Sequence, residues 1–468
     1  MTLEYNLGYR LIDVTNTTPP RSPLIEEFTL PDGSKALEAP VYDLNSFYKY
    51  DGSAGTWQPI DDISVHGALQ QLINSMNSVT AGAAAAVAVL PEHKEISAAV
   101  KIARNALWAA SPNFFGKTPK GMAFKNGFVK LNNQNIAELH KHHPDNGARF
   151  TTSYDFVSMV TPRWDTMLEL VFANDPDKNE KIQLLHEFIG AALLGIAPRF
   201  GKCLILYGDG SNGKSTIQAV IRALFPDSVA CTSNPQTWHK EYDRAELRGK
   251  RINITSELPE REMMESEAFK AIVEGAMISA RIIRQAPFQF PPEAAHIFAC
   301  NMLMRTNDLT PGFYRRFLIV PFNNVFKPTA TDILTPILIE ELGGIAHRSI
   351  KAVEGALAVG HLTTPSSSLE TIAEWKETAN PVAAFVGGCT KAVVSSGEYT
   401  KADELWRAWC SWCGDTGHQK GTLTSFGRKL TLTIGSDKKS RRSDGVYYGL
   451  ALNIEGNRLL QAYVRMTA

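Results

Sequence analysis

The chain has 468 residues, of which 44% are hydrophobic and 21% are charged, as in an ordinary globular protein. A chain of this length exceeds a single core, so we expect roughly two to four domains. Lys plus Arg equals Asp plus Glu at 48 each. This balance excludes a strongly basic or acidic chain, and any surface for an anionic partner must therefore be local.

The cysteines and the apolar stretches predict the compartment. Six cysteines are scattered along the chain, at positions 203, 231, 300, 389, 410 and 413. This pattern indicates buried thiols in a reducing compartment rather than a disulfide framework. The N-terminus lacks the pattern of a secretory signal, and the apolar stretch Ala81–Leu90 is about half as long as a membrane-crossing helix. We expect a cytoplasmic protein without a membrane partner.

The periodicity of apolar residues and the positions of prolines and glycines divide the chain into five predicted segments. The first is irregular because prolines recur in it, and the second is mainly helical with two β-hairpins. The third alternates strand-like runs with helices, which predicts an α/β core with a parallel sheet. A helical connection and a separate C-terminal domain follow, near a Pro/Ser-rich boundary at 361–369. The segments are residues 1–40, 41–195, 196–345, 346–378 and 379–468.

A glycine-rich loop joins an apolar run to an amphipathic helix in the third segment. Residues 208–215, Gly-Asp-Gly-Ser-Asn-Gly-Lys-Ser, fit the phosphate-binding pattern G-x-x-x-x-G-K-[ST]. Glycines let the backbone turn its N–H groups toward an anion, Lys214 would contact the β- and γ-phosphates, and Ser215 would ligate Mg²⁺. The alternative is a glycine turn without a ligand. We predict that ATP and Mg²⁺ bind to Gly208, Asp209, Gly210, Ser211, Asn212, Gly213, Lys214, Ser215 and Thr216.

Two polar residues follow later strand-like runs. Glu257 comes after Arg251–Thr255, which we expect to neighbour the strand before the loop, and could orient a water or hold Mg²⁺ through water. Many phosphate-binding-loop enzymes have Asp-Glu here, whereas this chain has Ser256 before Glu257. Asn301 ends another apolar run and could contact the γ-phosphate. The alternatives are an ordinary strand-end carboxylate and an amide that caps a turn.

Arg315 and Arg316 precede the next apolar run. They could form surface ion pairs, or one of them could neutralise transition-state charge in the site of a neighbouring subunit.

The order of these parts resembles the superfamily 3 helicases. "LYGDGSNGKST", "LRGKRINITSE", "FKAIVEGAMISARIIRQAPFQFPP", "FACN" and "GFYRRFLIVPF" are most similar to the phage/plasmid primase–helicase type of satellite phages, mobile islands and poxviruses. The resemblance implies an AAA+ core that forms hexameric rings and moves 3′-to-5′ on single-stranded DNA. It also implies an N-terminal collar at 41–195. No primase carboxylate cluster is recognisable in the N-terminal 150 residues.

Transferred by position, the resemblance assigns roles to individual residues. Lys214 and Ser215 would be the phosphate and Mg²⁺ ligands, and Glu257 the catalytic carboxylate. Asn301 would sense the γ-phosphate, and Arg315 or Arg316 would be the arginine finger. Residues 269–290 would form a DNA-contacting hairpin, with Arg281 and Arg284 as phosphate contacts and Lys270 as a further candidate. The alternative is a pair of rim arginines with no ligand.

The C-terminal domain carries a local excess of positive charge. A predicted helix–helix–basic hairpin order is typical of a winged helix, and its cations are candidates for duplex contact. The alternative is a solvated basic loop. The candidate DNA contacts are Arg428, Lys429, Lys438, Lys439, Arg441 and Arg442. Cys410 and Cys413 lack a second ligand pair for zinc, so we predict that they pack in a core.

We therefore predict an ATP-dependent, ring-forming replicative helicase of a phage, plasmid or mobile island. Its partners would be single-stranded, forked and origin DNA, and further copies of the chain. A separate primase or host replication proteins would be additional partners. An origin-binding initiator that melts DNA without processive unwinding is the main alternative. A small-molecule kinase is a third, and it leaves the arginine pair and the basic tail without a role.

Overall fold

The computed structural model describes residues 3–13, 22–29, 34–44, 46–80, 91–258, 264–304, 306, 308–326, 336–337, 340–392, 399–435 and 446–467. The chain forms two compact units. The larger unit comprises Met1–Pro259, Glu267–Met302 and Arg316–Pro365. The smaller unit comprises Glu260–Ser266, Leu303–Arg315 and Ser366–Ala468.

The first 40 residues are more regular than predicted. They contain helix α1 (Leu3–Arg10) and an antiparallel pair of strands, β1 (Glu26–Thr29) and β2 (Lys35–Glu38). The prediction of an irregular segment is wrong for these residues because α1, β1 and β2 contain no proline.

A small α+β region follows. Strands β3 (Val41–Asp43), β4 (Ser46–Asp51) and β5 (Thr56–Ile60) form an antiparallel sheet, which confirms the first predicted hairpin. Helices α2 (Asp62–Thr80) and α3 (His93–Ala110) come next. Leu7 of α1, Leu72 of α2 and Ala103 of α3 are buried in one core. The α1–α3 approach is close, since a Cβ on Gly8 would lie 2.7 Å from the Ala99 oxygen.

A second antiparallel sheet confirms the second predicted hairpin. Helix α4 (Phe114–Lys117) precedes strands β6 (Gly121–Phe124), β7 (Gly127–Leu131) and β8 (Ala137–His140). Segment 41–195 thus combines helices with two three-stranded sheets. It ends with α5 (Pro162–Val171) and α6 (Lys178–Leu194). Residues 188–194 of α6 are all apolar and buried, as expected of a core helix.

The centre of the larger unit is a five-stranded parallel sheet in the order β10-β11-β14-β9-β15. Its strands are β9 (Cys203–Tyr207), β10 (Ala230–Cys231), β11 (Ile252–Thr255), β14 (Ala295–Cys300) and β15 (Phe317–Pro321). Helices α7 (Lys214–Ala223), α8 (Glu241–Ala245) and α9 (Ser266–Val273) lie between successive strands in the chain. The predicted α/β core with a parallel sheet is confirmed.

A short antiparallel pair, β12 (Ile278–Ala280) and β13 (Phe288–Phe290), precedes β14. The pair confirms the predicted hairpin within 269–290.

The predicted helical connection at 346–378 does not form a single element. Helix α11 (Leu342–Val359) belongs to the larger unit and packs closely on α6, where a Cβ on Gly190 would lie 2.1 Å from the Ser349 oxygen. Helix α12 (Ser366–Ala379) belongs to the smaller unit. The larger unit ends at Pro365, inside the Pro/Ser-rich stretch, and the last segment of the smaller unit begins at Ser366.

The smaller unit is mainly helical. It contains α10 (Pro311–Tyr314), α12, α13 (Pro381–Cys389), α14 (Ala402–Thr416), α15 (Leu423–Ile434) and α16 (Ile454–Thr467). Four short strands pair as β16 (Thr390–Ala392) with β19 (Leu450–Leu452) and β17 (Tyr399–Lys401) with β18 (Val446–Tyr448). The basic turn of the predicted wing lies outside the described residues, so the winged helix stays a prediction.

The core of the smaller unit is aromatic. Trp409 stacks on Trp412 and on Phe426, and Cys413 is buried in the same cluster. The thiol of Cys413 therefore packs as predicted. In the described part of the chain, no helix is long and apolar enough to span a bilayer.

Candidate functional site

The carboxyl ends of the parallel strands bring three predicted site segments to one edge of the sheet. The glycine-rich loop follows β9, Asn301 follows β14, and Glu257 lies two residues beyond β11. Cys300 at the end of β14 pairs with Tyr207 at the end of β9. Ligands of α/β sheets bind at this edge, beyond the carboxyl ends of the strands.

The structure corrects one detail of this arrangement. We expected the strand before Glu257 to neighbour the strand before the loop, but β14 lies between β11 and β9. Asn301 therefore follows the adjacent strand, and Glu257 follows the next strand along the sheet. The backbone N–H of Leu258 donates to the Ala299 oxygen over 3.2 Å, which holds the Glu257 segment against β14.

The loop has a left-handed backbone at three positions. The φ angles are +145° at Gly208, +60° at Ser211 and +90° at Gly213. A Cβ on Gly208 would lie 2.6 Å from the Phe322 oxygen, and one on Gly213 would lie 2.8 Å from a methyl of Val171. Glycine is thus required at both positions by conformation and by space.

Lys214, the first residue of α7, is folded back onto its own loop. Its Nζ donates to the carbonyl oxygens of Gly208 and Asp209, the latter over 2.7 Å, and to Oδ1 of Asn212 over 3.1 Å. The residue is only 7% exposed, and burial lowers the pKa of the ammonium. The ammonium is therefore surrounded by oxygens of its own loop.

The outer side of the loop faces solvent. Asp209, Gly210, Ser211 and Ser215 are exposed, and Thr216 is half-buried. Ser215 stands in the first turn of α7, where a helix presents unpaired N–H groups and the positive end of its dipole. Glu257 and Asn301 are exposed at the same edge of the sheet. An anionic ligand can therefore approach the loop from this side.

The inner side of the loop rests on a segment that sequence reasoning missed. Nδ2 of Asn212 donates to the Phe322 oxygen over 3.3 Å, and the N–H of Phe326 donates to the Ser211 oxygen over 2.7 Å. Residues 322–326 thus form the wall behind the loop. In the sequence, the consecutive side-chain amides of Asn323 and Asn324 after an apolar strand-like run could have indicated this wall.

This wall is fixed by a buried ion pair. Nζ of Lys181 is 2.7 Å from Oδ2 of Asp175 and 3.0 Å from the Pro321 oxygen, and both side chains are almost fully buried. The other oxygen of Asp175 accepts from Nδ2 of Asn323 over 2.9 Å. A lysine in the charged first turn of a helix gives no sequence signal for such burial.

Gln218 is a second residue that the sequence did not reveal. It is buried on α7, and its Nε2 donates to the Thr255 oxygen over 3.4 Å. The helix after the loop is thereby tied to the end of β11, two residues before Glu257.

The structure separates the two predicted finger residues. Arg316 is 6% exposed and its guanidinium is bonded to the Glu274 carboxylate, while its own carbonyl accepts from the Cys203 N–H over 2.8 Å. Arg315 is exposed and belongs to the smaller unit. Arg316 is therefore held within the larger unit, and only Arg315 presents its side chain to the surroundings.

The hairpin carries the predicted cations at its end. Arg281 follows β12 directly, Arg284 lies in the turn with a φ of +63°, and both are exposed. Lys270 lies on α9 instead and is half-buried.

The C-terminal candidates are only partly described. Arg428 is exposed on α15, and Lys429 is half-buried there, where burial and then Arg428 lower the pKa of its ammonium. Lys438, Lys439, Arg441 and Arg442 lie outside the described residues. Among the residues that the structure describes, no group of three or more His, Cys, Asp or Glu side chains is placed to hold a metal.

The region that contains the glycine-rich loop matches a protein-family model. A model described as a family of unknown function (DUF5906) matches residues 206–316, from the end of β9 to the start of β15. No curated protein matches the chain. Two apo structures of the NrS-1 C-terminal region are each 13% identical to it, with TM-scores of 0.45. The alignments cover 81% of this chain and 77% of the first structure, and 84% and 83% for the second. They assign no role to any residue.

The two glycines on either side of Asp209 provide a matched test of the loop geometry. Gly208→Ala should lower the free energy of unfolding by about 1–3 kcal/mol, because it forces a left-handed alanine against the Phe322 oxygen. In Gly210→Ala the new Cβ would meet no atom within 4 Å, so its effect should stay below about 1 kcal/mol. Urea unfolding of both variants measures the difference, and equal losses would contradict the loop conformation.

Proposed function

We propose that the chain is an ATP-driven DNA helicase of a phage, plasmid or mobile island, acting as a ring and moving 3′-to-5′ on single-stranded DNA. The observation that carries the proposal is Lys214. A buried ammonium at the start of a helix, surrounded by oxygens of its own glycine-rich loop, is suited to exchange those oxygens for phosphate oxygens.

The residues at the sheet edge fit the hydrolysis of a bound triphosphate. Because the glycines with positive φ have no Cβ, the backbone of the loop could approach phosphates closely. Ser215, and Glu257 through water, would hold Mg²⁺, which would neutralise charge on the phosphates. Glu257 would accept the proton of the attacking water, and Asn301 would donate a hydrogen bond to the γ-phosphate.

The remaining cations fit work on DNA by several copies. Arg315 is the exposed member of its pair and is our candidate for completing the site of a neighbouring subunit. Arg281 and Arg284 at the hairpin end suit a sequence-independent grip on a phosphate backbone. The cations of the C-terminal unit would contact duplex or origin DNA.

Unwinding of a forked duplex tests the proposal directly. The purified chain should release the displaced strand in the presence of ATP and Mg²⁺, and Lys214→Ala should reduce hydrolysis by about 10²-fold or more because the cation on the phosphates is lost. Strand release is measured by gel or fluorescence, and hydrolysis by phosphate release. Hydrolysis that DNA stimulates without strand release would instead identify an initiator that melts or remodels DNA.

The hairpin cations predict a change in salt dependence. Removing both with Arg281→Ala and Arg284→Ala should weaken single-stranded DNA binding and reduce the slope of log K against log[salt] by about 1.4, since each phosphate contact contributes about 0.7. Fluorescence anisotropy with a labelled oligonucleotide at several salt concentrations measures the slope. Arg199→Ala, an exposed arginine bonded to Asn135, is the matched control and should leave the slope unchanged.

Mixing two inactive variants tests whether the site is shared. Arg315→Ala should lower hydrolysis by about 10³-fold, as expected for loss of an arginine finger. In an equal mixture with Lys214→Ala chains, about a quarter of the interfaces would combine an intact loop with an intact arginine, so activity should return to about that fraction. No recovery in a mixture that still assembles would contradict the shared site.

A further inference from the structure

A small polar cavity lies in the larger unit at the amino-terminal ends of β11 and β14, at the edge of the sheet opposite to the glycine-rich loop. Its volume is about 40 Å³. Arg251 directly precedes β11 and Glu293 lies two residues before β14. Lys120, Asn146 and Arg149 line it from the segments around the second small sheet. None of these residues contributes to the site described above.

The cavity has more positive than negative charge. Three cations, Lys120, Arg149 and Arg251, line it together with one carboxylate, Glu293. The carboxylate is bonded to Lys120 and lies 3.7 Å from Nη1 of Arg251. Arg149 has its guanidinium over the ring of Phe115 at 5.1 Å, so an aromatic ring supports it from one side. The formal excess around this space is two positive charges.

One buried donor of a residue that lines this cavity has no acceptor. Nδ2 of Asn146, which is 6% exposed, is buried without a hydrogen-bond partner. Nη1 of Arg251 also lacks a hydrogen-bond partner, but it lies against Gly195, which does not line the cavity. A buried donor without an acceptor is costly, and such groups in a native protein point to a missing partner. The amide nitrogen of Asn146 is a donor, so the missing partner must supply an acceptor oxygen.

The electrostatic effects on the charged groups agree with this excess. Burial lowers the pKa of the Arg251 guanidinium, and Arg149 lowers it further against the opposing effect of Glu293. Burial alone would raise the pKa of Glu293, but Arg251 and Lys120 hold it below its usual value. The carboxylate is thus ionised and still insufficient to balance its surroundings.

We propose that this cavity binds a tetrahedral oxyanion, the phosphate group of free phosphate or of a nucleic-acid backbone. Its volume accommodates about three waters at 10–15 Å³ each, which matches a phosphate group and excludes a nucleoside. Guanidinium and amide N–H donors are the groups that proteins use for such oxygens. The site is independent of the proposed helicase activity.

Titration with inorganic phosphate tests the site in the full-length chain. The Lys214→Ala background is used, so that phosphate at the glycine-rich loop does not contribute. Isothermal calorimetry should show saturable binding, and crystals soaked in tungstate should show an anomalous peak within hydrogen-bonding distance of Arg149, Arg251 and Asn146. Absence of saturable binding overturns the proposal whatever the outcome of the unwinding assay.

Two variants and one control locate the binding. Arg149→Gln and Asn146→Leu, each added to Lys214→Ala, should each weaken phosphate binding at least about tenfold, the first by removing a cation and the second by removing a donor. Lys125→Gln, an exposed lysine in the turn between β6 and β7, removes the same charge and should have no effect. Unchanged affinity in both cavity variants, with folding verified by circular dichroism, overturns the proposal.

A competition assay identifies the source of the phosphate group. Displacement of bound phosphate by a short oligodeoxynucleotide would support the site with a backbone phosphate as its occupant. Saturable binding that the oligonucleotide leaves unchanged would support it with free phosphate as the occupant.

Discussion

The position of β9 between β14 and β15 is the constraint on which the site depends. β9 is paired in parallel with both neighbours, and its end residue Tyr207 is in register with Cys300 on one side and Pro321 on the other. The loop after β9 must therefore begin between the segments that follow these two strands. The N–H of Gly208 donates to the Cys300 oxygen over 3.2 Å, which fixes the start of the loop beside Asn301.

Electrostatics at the end of β15 provides a second support. Lys181 is fully buried, and Asp175, Asp177 and the Pro321 carbonyl compensate its charge. Removing one partner from such a pair leaves an uncompensated charge in a low dielectric, which costs about 3–5 kcal/mol. The hydrogen bond from Asn323 to Asp175 connects this ion pair to the wall behind the loop. The helices before the sheet are therefore connected to the loop by polar bonds as well as by apolar packing.

Sequence patterns predicted what is local and missed what is brought together by folding. Alternating strands and helices gave the parallel sheet, and the two hairpins were visible because turn residues separate β-rich runs. The strand order was not visible, since β14 enters between β11 and β9 only in the folded sheet. Burial of Lys181 and of Arg316 was equally hidden, because a cation buried by distant partners has the same sequence appearance as one in water. The irregular N-terminus was predicted from the number of prolines, but the sequences of α1, β1 and β2 contain none of them.

Arg315 and Arg316 are consecutive in the chain, but their side chains have different surroundings. The guanidinium of the buried Arg316 is bonded to Glu274, so a change at position 316 removes the partner of that carboxylate. The side chain of Arg315 is exposed. Among relatives of this chain, positions 315 and 316 should therefore co-vary with different positions. Such a difference would distinguish the arginine that supports the fold from the one whose side chain is exposed.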